Sequence, residues 1–222
     1  MINMSNEAIC KGLAFIVEGA TEKVFYLEYI TQLCNERGFT LEKDLESQED
    51  CYKITSNSNG KLVMMACMNS VTQMTNSATW FHRACVEEHP NINWTVFLCY
   101  DTDEYNSDIT KFHKGDWLRL RNSIKTQAGK IVDVAAEADI EDVMLCDLRG
   151  ILSFLGLPPT TEIPPGNKGK TKLKKLYRMV AIEKAYHSGE RAKNLIASLN
   201  MSTIRDTASI PLKEIDTAIG ET

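Results

Sequence analysis

The chain has 222 residues, 43% of them hydrophobic and 25% charged, and its net charge is −5. That suits one large globular domain, or one domain with a small appendage, and argues against a protein that is basic throughout. No stretch of 18 apolar residues is present and the first twelve residues lack a long apolar core, so neither a membrane span nor a secretion signal is expected and the location reads as cytoplasmic.

Charge is unevenly placed. Residues 1–150 hold 14 Lys and Arg against 23 Asp and Glu, whereas residues 151–222 hold 11 against 7, so the two parts carry −9 and +4. An acidic body joined to a basic end can hold cations at one place and a polyanion at another. The seven cysteines stand singly with no CxxC pair, which points to reduced thiols filling core space rather than a zinc ribbon or a disulfide framework.

The apolar, partly β-branched run at 13–17 predicts a buried strand that stops at Glu18 and Gly19. Thr21 can cap a helix over about 21–37, with Glu22 in the first turn, where the helix dipole favours an acid. Residues 39–50 read as an exposed loop, 51–55 as a short strand and 56–60 as a turn. From Lys61 to about Glu88 the residue types favour one long helix or two consecutive ones, with Met64, Met65, Met68 and Met74 on a core face. Cys85 and His89 lie four residues apart there, a metal pair without a second pair to complete it.

Pro90 and Asn91 break that pattern, and the uncharged run at 94–100 is the clearest strand in the sequence. It leads straight into Asp101, Asp103 and Glu104. A helix over about 109–126 and a strand at 130–134 follow, then a helix carrying Met144, Leu148, Ile151, Leu152 and Leu155, stopped by Gly156, Pro158 and Pro159. Residues 158–170 hold four of the six prolines and read as a loop; 171–187 and 190–199 read as helical, and Pro211 starts a last short helix. Strands alternating with helices predict an α/β fold with a mainly parallel sheet. Residues 1–157 form the expected main body, and 158–222 a basic, mostly helical extension packed on it.

In such sheets ligands collect at the carboxyl ends of the strands. Three expected strand ends deliver acids: Glu18 with Glu22, Asp101 with Asp103, and Asp139 with Glu141. Taken singly each has an ordinary explanation, as dipole complement, polar turn or helix cap. Together they form an ordered set whose mutual repulsion a hard divalent cation, Mg²⁺ or Mn²⁺, would offset.

Val17-Glu18-Gly19-Ala20-Thr21-Glu22 resembles the glutamate motif of TOPRIM domains, in the form found in OLD-family nucleases and small RloB-like relatives. The segment from Phe97 to Asp103 resembles the TOPRIM DxD motif after its apolar strand, and Asp139-Ile140-Glu141 fits the further acidic segment of OLD-type members. The resemblance covers roughly residues 12–155. It implies a Rossmann-like TOPRIM sheet and a metal-dependent nuclease acting on DNA or RNA with one or two ions, of a kind often found in bacterial anti-phage defence. Glu18, Asp101 and Asp103 would surround the first ion, and Glu22, Asp139 and Glu141 would hold or orient a second. No Walker A motif occurs, so an ABC-type ATPase partner would be a separate chain; a homodimer is also open.

Residues 168–178 hold six cations and no acid, suited either to a solvated helix face or to neutralising phosphates along a nucleic-acid backbone. OLD-type enzymes place a lysine downstream of the last acidic motif, and Lys172, Lys174 and Lys175 are the candidates for it. Two other readings stay open on the sequence. A haloacid-dehalogenase-like phosphohydrolase would use Asp101 as nucleophile and leave Glu18 and Glu22 idle. A non-catalytic TOPRIM-derived subunit of a defence complex would keep the fold alone.

Overall fold

Strand β1 (Lys11–Val17) is buried on both faces, as its unbroken apolar run requires of a central parallel strand. The computed structural model describes residues 9–56, 60–103, 105 and 112–220, apart from the side chain of Val71. After β1 come helix α1 (Ala20–Glu36) and strands β2 (Thr40–Lys43), β3 (Asp50–Thr55) and β4 (Gly60–Cys67). Short helices α2 (Val71–Thr75) and α3 (Ala78–Trp80) and a π-helical segment, Phe81–Glu87, lead to β5 (Asn93–Asp101). Then follow α4 (Lys114–Lys125), β6 (Lys130–Ala136), α5 (Ile140–Met144), a 3₁₀ turn, α6 (Leu148–Leu155), α7 (Gly169–Val180), a 3₁₀ turn at Gly189–Ala192, α8 (Lys193–Ala197), α9 (Met201–Thr207) and α10 (Leu212–Gly220).

The described residues form a six-stranded sheet in the order β2-β3-β4-β1-β5-β6. Strands β4, β1, β5 and β6 run parallel, β3 pairs antiparallel with β4, and the exposed edge strand β2 pairs antiparallel with β3. Side chains alternate between two cores, as the period of a strand dictates. Phe15, Val17 and Phe97 face α1 and the C-terminal helices, packing with Phe25, Leu173 and Ile196. Ala14, Ile16 and Leu98 face the other side, against Phe81, Trp117 and Leu120. The chain is therefore α/β, a mostly parallel sheet with helices on both faces, consistent with a Rossmann-like fold. None of the helices among the described residues is long and apolar enough to cross a membrane.

The segment expected to be helical from Lys61 to Glu88 is corrected most. Its first part is strand β4, seven of whose eight residues pair with β1 in parallel register. A strand buried on both faces shows no alternation, so its Met and Ala content reads as helix until the neighbouring strand is known. Met64 and Met65 consequently enter opposite cores. The loop expected at 39–50 contains the edge strand β2, and the helix expected over 171–187 stops at Val180. Cys85 is buried on the π-helical segment, and that burial pushes its thiol well above the ordinary range, which disfavours the thiolate a metal would need. Glu104, much of the turn at 56–60 and the first residues of the helix expected at 109–126 lie outside the described residues.

The helices after α5 are fastened by Asp147. Its Oδ1 accepts from the Gly150 amide at 3.0 Å to cap α6, and its Oδ2 accepts from the Asn200 amide at 2.7 Å, just before α9. Asp147→Ala removes a cap and a charge-assisted bond together, and should lower stability by about 2 kcal/mol. A urea midpoint shifted down at unchanged slope is the expected result.

Candidate active site at the strand ends

The connection after β1 leads towards β4 and that after β5 leads towards β6, so the chain diverges between these neighbouring strands and leaves a crevice at their carboxyl ends. The rim is knitted by backbone bonds: Glu18 N–H to Cys99 O at 3.0 Å, Thr102 N–H to Ala136 O at 2.9 Å and Asp103 N–H to Ala138 O at 3.1 Å. Among the described residues, three other than glycine have positive φ: Asn69 (61°), Asp103 (67°) and Ala138 (62°), which come after the ends of β4, β5 and β6 in turn. For Asp103 and Ala138 that backbone costs on the order of 1 kcal/mol each, a strain concentrated where loops are bent to aim side chains.

A pocket of about 400 Å³ opens there. Glu22, Asp101, Asp103, Asp139 and Glu141 all line it. Glu18 lies beside them, its Oε2 accepting from the Asp101 amide at 3.3 Å. All six acids singled out in the sequence are thus gathered at one place, although they come from three strand ends and two helix starts. Glu22 sits in the first turn of α1 and folds back over Gly19, where a Cβ would stand 2.8 Å from its Oε2. A side chain at that position would push the Glu22 carboxylate off the turn.

The opposite wall comes from the basic segment, at residues other than those expected. Lys168 and Lys170 line the pocket, with Ser188 and Gly189. Lys168 donates to Asp103 Oδ1 at 2.7 Å, and this bond, with the fields of Asp103, Asp139 and Asp101, raises its pKa against the opposing effect of burial. Lys170 reaches Ser188 Oγ at 3.2 Å. Lys172 turns away to Asp142 and Tyr105, both at 2.6 Å, Lys175 donates to Pro165 O, and Lys174 is exposed; none of the three lines the pocket.

This placement results from the way α7 docks on α5. The Gly169 amide donates to Asp142 Oδ2 at 2.7 Å and the Lys170 amide to Asp139 Oδ2 at 3.0 Å, so carboxylates serve the open N-terminus of α7. A Cβ on Gly169 would lie 2.1 Å from the Asp142 nitrogen and 2.4 Å from the Glu141 carbonyl carbon. Only glycine lets the two helix starts touch, and the contact points residues 168 and 170 at the acids. The sequence signal was the glycine inside a lysine run after a Pro-Gly loop, which the count of cations alone passed over. Asp142, which ties Tyr105, Lys172 and α7 together, was likewise missed.

The acids are held by internal donors. Asp139 caps α5 through Asp142 N–H at 3.0 Å, the duty its position suggested, besides receiving Lys170 N–H. Glu141 accepts from the buried Tyr186 hydroxyl at 3.0 Å. Burial lifts the Asp139 carboxyl above the usual range, opposed by the Lys170 amide and reinforced by Asp142. Burial lifts Glu141 too, with Asp139 adding and Tyr186 opposing. Among the described residues no three His, Cys, Asp or Glu side chains are grouped to hold a metal ion as they stand. The donor set nevertheless fits a hard divalent cation, being oxygen-only and anionic and backed by a rigid sheet.

No protein-family model and no curated protein matches the chain. What fold and pocket define is an α/β protein of Rossmann-like architecture, with an acid-lined crevice at its strand ends faced by two lysines.

Glu141 gives the pocket a pH signature. An unfolded glutamate ionises near pH 4.3, whereas the folded state resists, so stability falls as pH rises through the unfolded value and then the raised folded one. In buffer free of divalent cations Glu141→Gln should therefore raise the melting temperature near about pH 7, with the gain vanishing below about pH 4. Thermal melts at both pH values check this; an equal gain in acid would contradict it.

Proposed function

We propose that this chain is a metal-dependent nuclease that hydrolyses phosphodiester bonds in DNA or RNA, built on a TOPRIM-type sheet and serving as an effector in bacterial anti-phage defence. The observation that carries the reading is the meeting of acids from three strand ends with Lys168 and Lys170 around one pocket. Such a pocket has an anionic half suited to Mg²⁺ or Mn²⁺ and a cationic half suited to phosphate. The defence role rests on the motif resemblance alone.

Glu18, Asp101 and Asp103 are the residues that would hold a first cation, and Glu22, Asp139 and Glu141 a second. A bound divalent cation supplies Lewis acidity towards a phosphoryl oxygen and eases ionisation of the attacking water. Lys168, Lys170 and the Ser188 hydroxyl offer donors to the remaining phosphate oxygens. Lys174, Lys175 and Arg178 are exposed on α7, the helix whose first turn forms the pocket wall, and extend a positive track for the flanking backbone. The phosphohydrolase alternative has less support, because it leaves unused the acids that share the crevice with Asp101.

The test is incubation of the purified chain with DNA and with RNA in Mg²⁺ or Mn²⁺, with the ends mapped and any ATPase partner supplied as a separate arm. Cleavage that EDTA abolishes is expected. Asp101→Asn should lower its rate by at least about 100-fold, corresponding to ~2.7 kcal/mol of barrier, with the melting temperature near that of the parent. Cleavage undiminished in a folded Asp101→Asn variant would remove Asp101 from its assigned role.

A further inference from the structure

The carboxylates of this pocket already have a cation among them, and it belongs to the protein. Lys168 precedes the first residue of α7, and the docking of that helix fixes its backbone: Gly169 is wedged against α5, and the amides of residues 169 and 170 are held by Asp142 and Asp139. From that anchored position its ammonium group lies 2.7 Å from Asp103 Oδ1. Asp101 and Asp139, from the ends of β5 and β6, line the same pocket as Lys168. Asp103, for its part, is held in left-handed backbone geometry at the strand end, which aims its carboxylate into the pocket.

We propose that Lys168 is a resident counter-ion of the acidic site, which a divalent cation has to displace from Asp103 in order to bind. The inference rests on the reading of the pocket as a cation site and deepens it. Asp103 is engaged by the ammonium group at 2.7 Å, so an ion that is to use this carboxylate has to take the place of the lysine. Displacement needs only the flexible end of the lysine to move, because the backbone on either side of Gly169 stays docked. The pair is about one-third to one-half exposed, at 33% and 45%, so solvent keeps the exchange small enough for a cation to win. The lysine also sets a threshold. A monovalent ion gains little by replacing one positive charge with another, whereas a divalent ion gains net charge at the acids.

The experiment is calorimetric titration of the metal-free chain with Mn²⁺ alone, in the parent and in Lys168→Met, Lys168→Arg, Lys174→Met and Asp101→Asn, each shown to be folded by its melting curve. Lys168→Met should bind Mn²⁺ about fivefold to tenfold more tightly than the parent, as expected for removing a competing charge in a partly solvated site. Lys168→Arg should stay within about twofold of the parent because it keeps that charge. Lys174→Met alters net charge equally at an exposed position off the pocket, and should leave the affinity unchanged. Equal or weaker binding by Lys168→Met, or the same tightening in Lys174→Met, overturns the counter-ion role while leaving the cation site standing. Absence of saturable binding in the parent, or binding by Asp101→Asn equal to the parent's, overturns the cation site and the inference with it.

Discussion

Like charges brought together repel, and the arrangement of this molecule at its strand ends is governed by that fact. Two of the acids, Asp139 and Glu141, are at most 5% exposed, and a buried carboxylate without a donor would be costly. The protein answers with a set of local donors: amides at the start of α7, the Tyr186 hydroxyl and the Lys168 ammonium group. The docking of α7 on α5 is thus an electrostatic necessity as much as a packing one. The same helix gives Leu173 and Leu176 to the core behind the sheet, so apolar burial and charge compensation are fixed by one placement.

Much of this was legible in the sequence where local signals were strong. The runs that became β1 and β5 are apolar without interruption, and each is followed at once by acids, so strand, direction and site could be read together. The edges were legible too, with Pro211 standing just before α10. Strand β4 was not, because methionine, alanine and lysine are good helix formers and only the pairing with β1 decides otherwise. Lys172, Lys174 and Lys175, the candidates within the basic run, do not line the pocket either. Residue spacing gives the faces of a helix, but which end of it meets the acids depends on a contact between helix starts that only Gly169 permits.

Backbone strain and the acid-lined pocket coincide in this fold. The positive-φ residues after β4, β5 and β6 are not needed to end a strand, since β1 ends without one. Asn69 tolerates the conformation through its short polar side chain, but Ala138 has no such help and is fully buried. Its amide is satisfied by Thr102 Oγ1 at 3.0 Å, which ties the loop after β6 to the DxD segment. That cross-tie keeps Asp103 and Asp139 in fixed relation, and is where stability has been exchanged for placement.

The wall formed by residues 168–189 has a consequence for how the molecule comes into being. Synthesis proceeds from the N-terminus, so the acids after β1, β5 and β6 emerge well before Lys168 and Ser188. The acids therefore precede their donors in the chain, and it is the docking of α7 on α5 that brings the amides of residues 169 and 170 and the Lys168 ammonium group to them.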